Sequence, residues 1–321
     1  MLQVTPWRLS IHPYNSFPIP ACSFEPIADD LGKVLATEDL GTTTEPLHPA
    51  TRTSSSDPPD YFHLLFVIAM SPSLAIHATS VELRYGKELV LRNVNCQIPS
   101  GSFVSILGPS GCGKTSLLRL AAGLQRPTNG QLSVLSDSST RHPQVGFIFQ
   151  DPTLLPWRNV VDNIRLPLEL SGVAKKASAL DVDRVIAMVG LHNEDRKKFP
   201  HMLSGGMQMR VSLARALVKQ PELLLFDEPF AALDDLLRQR LNEEILRLWQ
   251  QEKWSAWFVT HNVNEAAFLS QRVLVMTDRP GTVHADIKVP FPYPRRPELR
   301  ATPEFAEFTG RLHASLQEAA A

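Results

Sequence analysis

The stretch GPSGCGKTS, at 108–116, constrains the fold more than any other part of the 321-residue chain. An apolar run, SFVSIL at 102–107, precedes it, and a helical pattern, KTSLLRLAAGL at 114–124, follows it and closes at Gly123. Closely spaced glycines between a buried strand and a helix let backbone N–H groups point inward at phosphate oxygens, beside the positive helix N-terminus. We therefore predict a strand, a phosphate-binding loop and a helix, in that order.

Four residues of this stretch match the pattern G-x-x-x-x-G-K-[ST]: Gly108, Gly113, Lys114 and Thr115. In that pattern the lysine reaches the terminal phosphates of a nucleotide, and the hydroxyl binds Mg²⁺. The alternative is a chance glycine-rich turn, but a random match in a chain of this length has a probability of only about one in a hundred. We therefore predict a nucleotide site. It includes the other loop residues, Pro109, Ser110, Gly111, Cys112 and Ser116.

Apolar runs alternate with helical patterns along the rest of the chain, which is typical of an α/β domain with a largely parallel sheet. Further strands are predicted at 131–135, 222–226, 256–260 and 272–276. Between 160 and 219, apolar residues recur three and four apart, so we expect a helical insertion there. Turns are expected at 125–130 and 278–283, and the proline-rich stretch at 289–300 is expected to be extended.

Two acidic residues, Asp227 and Glu228, end the apolar run ELLLF. Beside a phosphate loop, a carboxylate at a strand end can hold the Mg²⁺ shell, which suits Asp227. The next carboxylate, Glu228, could polarise an attacking water as a general base. Acidic residues at strand ends are often only helix caps, but a phosphate loop in the same chain favours the catalytic interpretation.

Two other strand ends carry polar side chains of interest. Thr260 and His261 follow an apolar run and are expected to open a helix, with His261 contacting the γ-phosphate or the attacking water. Gln150 follows the apolar run at 147–149, and its neutral amide would bind Mg²⁺ or water weakly enough to act as a sensor. A lone histidine is more often structural, and Gln150 by itself would be unremarkable.

The stretch LSGGMQMR, at 203–210, begins another predicted helix. The apolar residues Met207, Val211, Ala214 and Val218 fall on one face of it. Its N-terminus offers N–H groups and a positive dipole, beside a serine hydroxyl. Because it brings neither a lysine nor a Mg²⁺ ligand, it could hold a γ-phosphate without completing a catalytic site.

Composition excludes several classes of protein. A net charge of −1 gives no basic face for nucleic acid. The apolar run at 64–70 is far shorter than the roughly 20 residues that span a bilayer. Asp57 and Asp60 precede that run, which argues against a signal peptide. Any membrane role is therefore expected to act through a partner.

The cysteines and the N-terminal region allow two further expectations. Three cysteines do not make a disulfide framework and fit a reducing compartment. Cys112 could make the phosphate loop sensitive to oxidation, but a small residue tolerated there is the favoured interpretation. The first 60 residues contain nine prolines, so we expect 1–72 to be disordered or an extension. A true start at Met70 is the alternative.

An ordered set of features in this chain resembles the ATP-binding subunits of ABC transporters. The set is Tyr85, GPSGCGKTS, Gln150, LSGGMQMR, LLLFDEP, ALDD at 232–235 and THNVNEA at 260–266. The resemblance covers roughly 75–315. It implies an α/β fold with a RecA-like P-loop NTPase core, a mainly parallel sheet, an antiparallel β subdomain and a helical subdomain at about 157–219. The ATPase domain would be 73–289, and the tail at 290–321 would pack on it.

The resemblance also implies roles for matching residues in an ATPase that uses ATP and Mg²⁺. Tyr85 would stack on adenine, and Asp234 would lie at a dimer seam. The catalytic residues would be Lys114, Glu228 and His261. The Mg²⁺ ligands would be Thr115, Gln150 and Asp227. The residues that contact the ATP of a partner copy would be Ser204, Gly205, Gly206 and Gln208.

The implied assembly is a head-to-tail homodimer with two transmembrane permeases and, indirectly, a solute-binding protein. It would lie at the cytoplasmic face of the inner membrane, and it would not bind nucleic acid. QDPTLLPWRNVVDNI at 150–164 and PYPRRPELRATPEF at 292–305 resemble the importer branch for nitrate, sulfonate, taurine and related solutes. Trp157 would face the permease, and a buried core position is the alternative.

Three residues depart from the family pattern. Asn262 follows the histidine where aspartate is common, Asn264 replaces a frequent acidic residue, and Met209 stands where glutamine is frequent. None of them removes a proposed catalytic atom, so they bear on coupling more than on hydrolysis.

Two other classes of protein remain as alternatives. A soluble ABC-type ATPase acting on a non-transport partner usually has two cassettes or long coiled coils, and this chain has one cassette and no sustained heptad run. A small-molecule kinase or a GTPase would share only the phosphate loop, and the chain lacks an N-K-x-D motif.

Overall fold

The computed structural model describes residues 74–134 and 144–321. The expected extension at 1–72 lies outside the described residues, as does Leu135 at the end of one predicted strand. Within the described ranges, no helix is both long enough and apolar enough to span a bilayer.

Nine strands and seven α-helices make up the described part of the chain. The strands are β1 Leu74–Tyr85, β2 Glu88–Pro99, β3 Phe103–Leu107, β4 Asn129–Val134, β5 Val145–Ile148, β6 Leu223–Asp227, β7 Ser255–Val259, β8 Arg272–Met276 and β9 Val283–Lys288. The helices are α1 Lys114–Ala121, α2 Val160–Leu170, α3 Ala179–Met188, α4 Gly205–Leu217, α5 Asp235–Glu252, α6 Val263–Leu269 and α7 Pro303–Ala320.

The larger sheet has six strands in the order β5-β6-β7-β3-β8-β9. Every neighbouring pair is parallel except β8 and β9. Strands β3, β6 and β7 are buried at every position, which explains why FVSIL, LLLFD and SAWFV are almost continuously apolar. The predicted α/β fold with a mainly parallel sheet is confirmed.

The smaller sheet is antiparallel, in the order β2-β1-β4. Its buried side chains, such as Leu91, share one core with Leu117 of α1 and Ile106 of β3. This sheet therefore supports the helix that follows the phosphate loop. Its last strand, β4, begins at Asn129, so the turn expected at 125–130 ends earlier than predicted.

Helices α2, α3 and α4 lie between β5 and β6 in the chain, where the helical insertion was expected. Asn159 caps α2 by accepting a hydrogen bond from the backbone N of Asp162 at 2.8 Å. Ile164, Val185 and Val211 from the three helices are fully buried in one core. The apolar periodicity of the sequence thus corresponds to the faces by which these helices pack.

The end of the chain is more regular than predicted. The expectation of an extended stretch at 289–300 is wrong at its end, because Pro297–Ala301 forms a 3-10 helix. Helix α7 follows, and the hydroxyl of Thr302 caps it by accepting from the backbone N of Phe305 at 3.3 Å. Phe305 and Phe308 are buried in the same core as the larger sheet. Thr302, followed by a proline and a glutamate, is a helix-start signal that predicts α7.

Candidate functional site

Three loops leave the larger sheet side by side at its carboxyl edge. Ile106 of β3 and Asp227 of β6 both pair with Val259 of β7. The segments that follow these three strands are therefore neighbours. They are 108–113, 228–234 and the turn at 260–262. In open α/β sheets, ligands bind at the carboxyl ends of the strands.

The loop between β3 and α1 curls around its own lysine. Lys114 is 5% exposed, and its Nζ donates to the carbonyl oxygens of Gly108 at 3.0 Å and Pro109 at 2.7 Å. Gly113 has a φ of +106°, and a Cβ there would lie 2.7 Å from Leu91 Cδ2. Only glycine fits this position. The tip, with Ser110 and Gly111, is exposed.

Thr115 and Asp227 form an oxygen pair beside this loop. The Thr115 hydroxyl donates to Asp227 Oδ1 at 2.8 Å. Burial raises the pKa of Asp227, and the hydrogen bond from Thr115 opposes that rise. Hydroxyl and carboxylate oxygens are the hard donors that Mg²⁺ prefers, so the pair fits this ion.

The third predicted Mg²⁺ ligand, Gln150, is not joined to that pair. It lies exposed, two residues beyond β5, at the same edge of the sheet. Among the described residues, no hydrogen bond connects Gln150 with Thr115 or Asp227. Its role therefore stays a prediction.

The three predicted catalytic side chains lie together. Glu228 Oε1 is 3.8 Å from Lys114 Nζ, and Glu228 Oε2 is 3.1 Å from His261 Nδ1. Glu228 has a φ of +47°, a left-handed conformation that costs a non-glycine residue on the order of 1–3 kcal/mol. Its backbone N donates to the Val259 carbonyl at 3.0 Å, which holds it in that conformation. His261 is exposed on the outer side.

Two other predicted residues lie around the phosphate loop. Tyr85 ends β1, and its hydroxyl donates to Gln125 Oε1 at 2.8 Å. A hydrogen bond from Ser116 on α1 lowers the pKa of Tyr85, which is 45% exposed. Cys112 is fully buried, and burial raises the pKa of its thiol. A protonated, buried thiol agrees with the interpretation of Cys112 as a small packing residue.

The start of α4 has local hydrogen-bond partners of its own. Ser204 Oγ accepts from the backbone N of Met207 at 3.3 Å, and both Ser204 and Gly205 are exposed. Gln208 Nε2 donates to the carbonyl oxygen of Pro200 at 3.0 Å. In the described part of the chain, no hydrogen bond or ion pair joins Ser204, Gly205, Gly206 or Gln208 to the loop at 108–113.

The remaining singled-out residues have clear local roles. Asp234 is exposed and caps α5, accepting from the backbone N of Leu237 at 3.0 Å. Helix α6 does not open at Thr260 and His261 as expected. It begins at Val263, because Asn262 caps it by accepting from the backbone N of Asn264 at 2.9 Å and from that of Glu265 at 3.3 Å.

The exposure of two side chains bears on points raised by the sequence. Trp157 is 71% exposed, so a buried core position for it is wrong. Met209 is 4% exposed and belongs to the core, so an apolar side chain suits its position.

A partly buried group near the site was missed. Arg238 donates to the carbonyl oxygens of Leu233 at 2.8 Å and Phe230 at 3.3 Å, which follow Glu228 in the chain. Its Nε lies 3.8 Å from Glu265 Oε1. The Thr260 hydroxyl donates to the other oxygen of Glu265, whose pKa is raised by burial. The Glu in THNVNEA is the sequence signal that marks this group.

Comparison with protein-family models identifies the ABC transporter model over residues 91–231. An uncharacterised ABC transporter ATP-binding protein of Methanocaldococcus jannaschii is 44% identical over 225 residues, which are 69% of this chain and 82% of that protein. A protein of Rhizobium johnstonii named aliphatic sulfonates import ATP-binding protein SsuB 1 is 40% identical over 250 residues, covering 78% of this chain and 88% of that one.

Solved structures show the same similarity. The ATP-binding cassette MJ0796, in a dimeric post-hydrolysis state bound to ADP and Pi, matches with a TM-score of 0.58 and 29% identity. That match covers 67% of this chain and 99% of the other. A second dimeric structure of the same cassette matches with a TM-score of 0.59.

Proposed function

Because the chain belongs to the family of ABC transporter ATP-binding proteins, we propose that it is the energy-coupling ATPase of an importer for a sulfonate, taurine, nitrate or a related small solute. One observation carries the catalytic part of the proposal. Glu228 lies between Lys114, at 3.8 Å, and His261, at 3.1 Å, beside the phosphate loop. A carboxylate held between a cation and an imidazole is suited to accept a proton from water.

Nucleotide binding begins at the loop after β3. Backbone N–H groups of the loop and of the first turn of α1 bind phosphate oxygens. Lys114 exchanges the carbonyl oxygens of Gly108 and Pro109 for phosphate oxygens. Tyr85, exposed beside Ser116, stacks on the adenine.

Thr115 and Asp227 would hold Mg²⁺, and Gln150 would be a further ligand. When bound, the ion neutralises charge on the transferring phosphoryl group. Burial raises the pKa of Asp227, whereas the hydrogen bond from Thr115 and the cations of Arg119 and Lys114 lower it and so favour the carboxylate.

Hydrolysis uses Glu228 as the base. The carboxylate takes a proton from water, the water oxygen bonds to the γ-phosphorus, and the bond from that phosphorus to the bridging oxygen of ADP breaks. His261 orients Glu228 through Nδ1 and lies exposed where the γ-phosphate is bound. The left-handed backbone of Glu228 fixes the direction of its carboxylate.

The exposed start of α4 completes the site of a second copy. It offers a helix N-terminus and a serine hydroxyl, without a lysine of its own. The solved cassettes similar to this chain are dimeric. A head-to-tail homodimer therefore forms two sites, each made of one phosphate loop and one α4 start, with Asp234 at the seam.

The permease binds beside Gln150. A cavity of about 360 Å³ is lined there by Phe149, Leu166, Leu170 and Arg215. Leu170 is 80% exposed, and Trp157, which follows Gln150 in the loop after β5, is 71% exposed. This apolar surface suits a cytoplasmic helix of a permease, and we infer that the subunit lies at the cytoplasmic face of the inner membrane. The proteins named for aliphatic sulfonate import support this direction and solute class.

Growth of the source organism tests the proposal. A deletion strain is grown with an alkanesulfonate or taurine as the only sulfur source, or with nitrate as the only nitrogen source. We expect growth to fail on one of these and to return with the wild-type gene, while Glu228→Gln does not restore it. Normal growth of the deletion strain on all three would contradict the importer assignment and favour an ATPase that acts on a non-transport partner.

A further inference from the structure

Two side chains of the proline-rich tail hold the carboxyl end of α6. Arg295 is 7% exposed. Its Nη1 donates to three carbonyl oxygens, those of Ala267 at 3.0 Å, Phe268 at 2.9 Å and Ser270 at 2.9 Å. The Tyr293 hydroxyl donates to the carbonyl of Leu269 at 2.6 Å. Each carbonyl from 267 to 270 thus accepts a hydrogen bond from the tail.

These hydrogen bonds satisfy the carbonyl groups that are left unpaired at the end of a helix. The last carbonyls of a helix have no partner within the helix, and they are usually satisfied by water or by following backbone. A guanidinium is a favourable partner there because the helix end is negative. The Nε and Nη2 of Arg295 both donate to the Phe291 carbonyl, at 3.1 and 2.7 Å. The buried guanidinium therefore donates to backbone carbonyl oxygens through all three of its nitrogens.

A second arginine ties the same helix to α5. Arg300 Nη1 lies 2.7 Å from Glu243 Oε1 of α5. Its guanidinium also stacks 3.6 Å from the centre of the Phe268 ring on α6. The tail therefore fixes α6 both at its end and against the neighbouring helix.

Helix α6 is short, and its other end lies at the candidate site. Its seven residues span about 10 Å. Asn262 caps it, and the preceding residue is His261, 3.1 Å from Glu228. A displacement of the carboxyl end of so short a helix is passed to its start, because little chain is available to absorb it.

We propose that Tyr293 and Arg295 are positioning residues for ATP hydrolysis, which hold α6 so that His261 meets Glu228. This inference rests on the proposed role of His261. Neither residue touches the nucleotide site, so they act on turnover and not on ATP affinity. The stretch PYPR in the tail then has a mechanical role at the reaction centre.

The full-length chain carrying Arg295→Met, Tyr293→Phe or the control Arg296→Met tests this. Arg296 is the adjacent arginine and is exposed. We expect kcat for ATP to fall about tenfold in Arg295→Met and about twofold in Tyr293→Phe, with the Kd for ATP unchanged and Arg296→Met at the wild-type rate. Assays are run well below the unfolding temperature of each variant, measured by circular dichroism. Wild-type kcat in Arg295→Met would overturn the inference.

A double-mutant cycle with His261→Ala separates positioning from general destabilisation. If Arg295 acts through His261, adding Arg295→Met to His261→Ala changes kcat less than about twofold. A further tenfold loss in that background would overturn the inference. Wild-type rates in His261→Ala would instead contradict the proposed catalytic role itself. If Arg295→Met does not fold, Tyr293→Phe passes through the same cycle. Its loss of about twofold should then disappear in the His261→Ala background, and a loss of the same size in that background would overturn the inference.

Discussion

Helices α1 and α4 both have glycine and backbone N–H groups at their starts, Gly113 before α1 and Gly205 in α4, but only the α1 start lies within a candidate site of its own chain. At α1, Lys114 is 5% exposed, and Thr115 is bonded to Asp227 at 2.8 Å. At α4, Ser204 and Gly205 are exposed, and Ser204 Oγ accepts from the backbone N of Met207 in its own helix. The same local feature thus lies beside the proposed catalytic groups in one place and is partly exposed, without such groups bonded to it among the described residues, in the other.

The difference shows that the side chains around a helix N-terminus, and not the glycine motif alone, determine which chemistry that N-terminus can support. Helix α1 follows the interior strand β3, so the ends of β6 and β7 bring acidic and imidazole groups beside it. Helix α4 belongs to the inserted helices, and a Cβ added at its Gly205 would lie 3.4 Å from Leu233, which is apolar. Under the proposed function, a second copy supplies the lysine and the carboxylates that the α4 start lacks.

Removing the lysine is the most drastic way to break this comparison, because it makes the α1 start resemble the α4 start. We expect Lys114→Ala to reduce ATP hydrolysis about 10³-fold, since a buried cation no longer offsets phosphate charge. Steady-state phosphate release measures this. Lys288→Ala, an exposed lysine on β9, is the matched control. Turnover and ATP affinity equal to wild type in Lys114→Ala would refute the phosphate-loop assignment.

Glu228→Gln separates binding from chemistry at the α1 start. The amide keeps the shape of the side chain but cannot take a proton, so we expect turnover to fall about 10²-fold while ATP stays bound. Size-exclusion chromatography with ATP should then show a trapped dimer. Glu222→Gln, which precedes β6 at the opposite edge of the sheet, serves as control. A Glu228→Gln protein that hydrolyses ATP normally would show that another group is the base.

Asp227→Asn tests how much the buried carboxylate beside α1, which has no counterpart at α4, lowers the stability of the protein. Burial raises the pKa of Asp227 above its ordinary value of 3.8. The folded state therefore binds this proton more tightly than the unfolded state does. The resulting stabilisation of the folded state is fully present below pH 3.8 and is lost as the pH rises through the raised pKa of Asp227. Without nucleotide, we expect Asp227→Asn to melt at or slightly above the wild-type temperature at pH 7, with the gain vanishing at acid pH. Asp151→Asn, at an exposed position, is the control. A lower melting temperature for Asp227→Asn at pH 7 would contradict this account.

Cys112→Ala should have the smallest effect. Cys112 is buried with a raised pKa, and its Sγ faces the backbone of the loop near Gly108. We expect ATP turnover within about twofold of wild type, because a small residue still fits. A loss of tenfold or more would show that the thiol itself serves the nucleotide site.

Local sequence signals were sufficient to predict much of the structure at the start of α1. The glycine spacing, the lysine and the continuously apolar strands are all short-range features. The contact between Glu228 and His261 is different, because it depends on β6 lying next to β7. Sequence position alone places both residues at strand ends without showing that they touch.

The tail shows where sequence reasoning stops. Arg295 bonds to carbonyl oxygens 25 to 28 residues away, and a backbone acceptor leaves no mark in the side-chain sequence. The departure at Asn262 has a simpler explanation in the structure. Its amide oxygen caps α6 by accepting from two backbone N–H groups, as a carboxylate would.

A mixed dimer tests the central claim, that the α4 start serves the phosphate loop of a second copy. One chain carries Ser204→Arg, the other carries Lys114→Ala, and the two are purified together through different affinity tags. Shared sites place both changes on one site and leave the other intact, so we expect this dimer to retain part of the wild-type ATPase rate. In the control dimer, one chain carries both changes and its partner is wild type, which damages both shared sites. Activity in the control dimer together with inactivity in the mixed dimer would mean that each helix start works within its own chain, and would contradict the account.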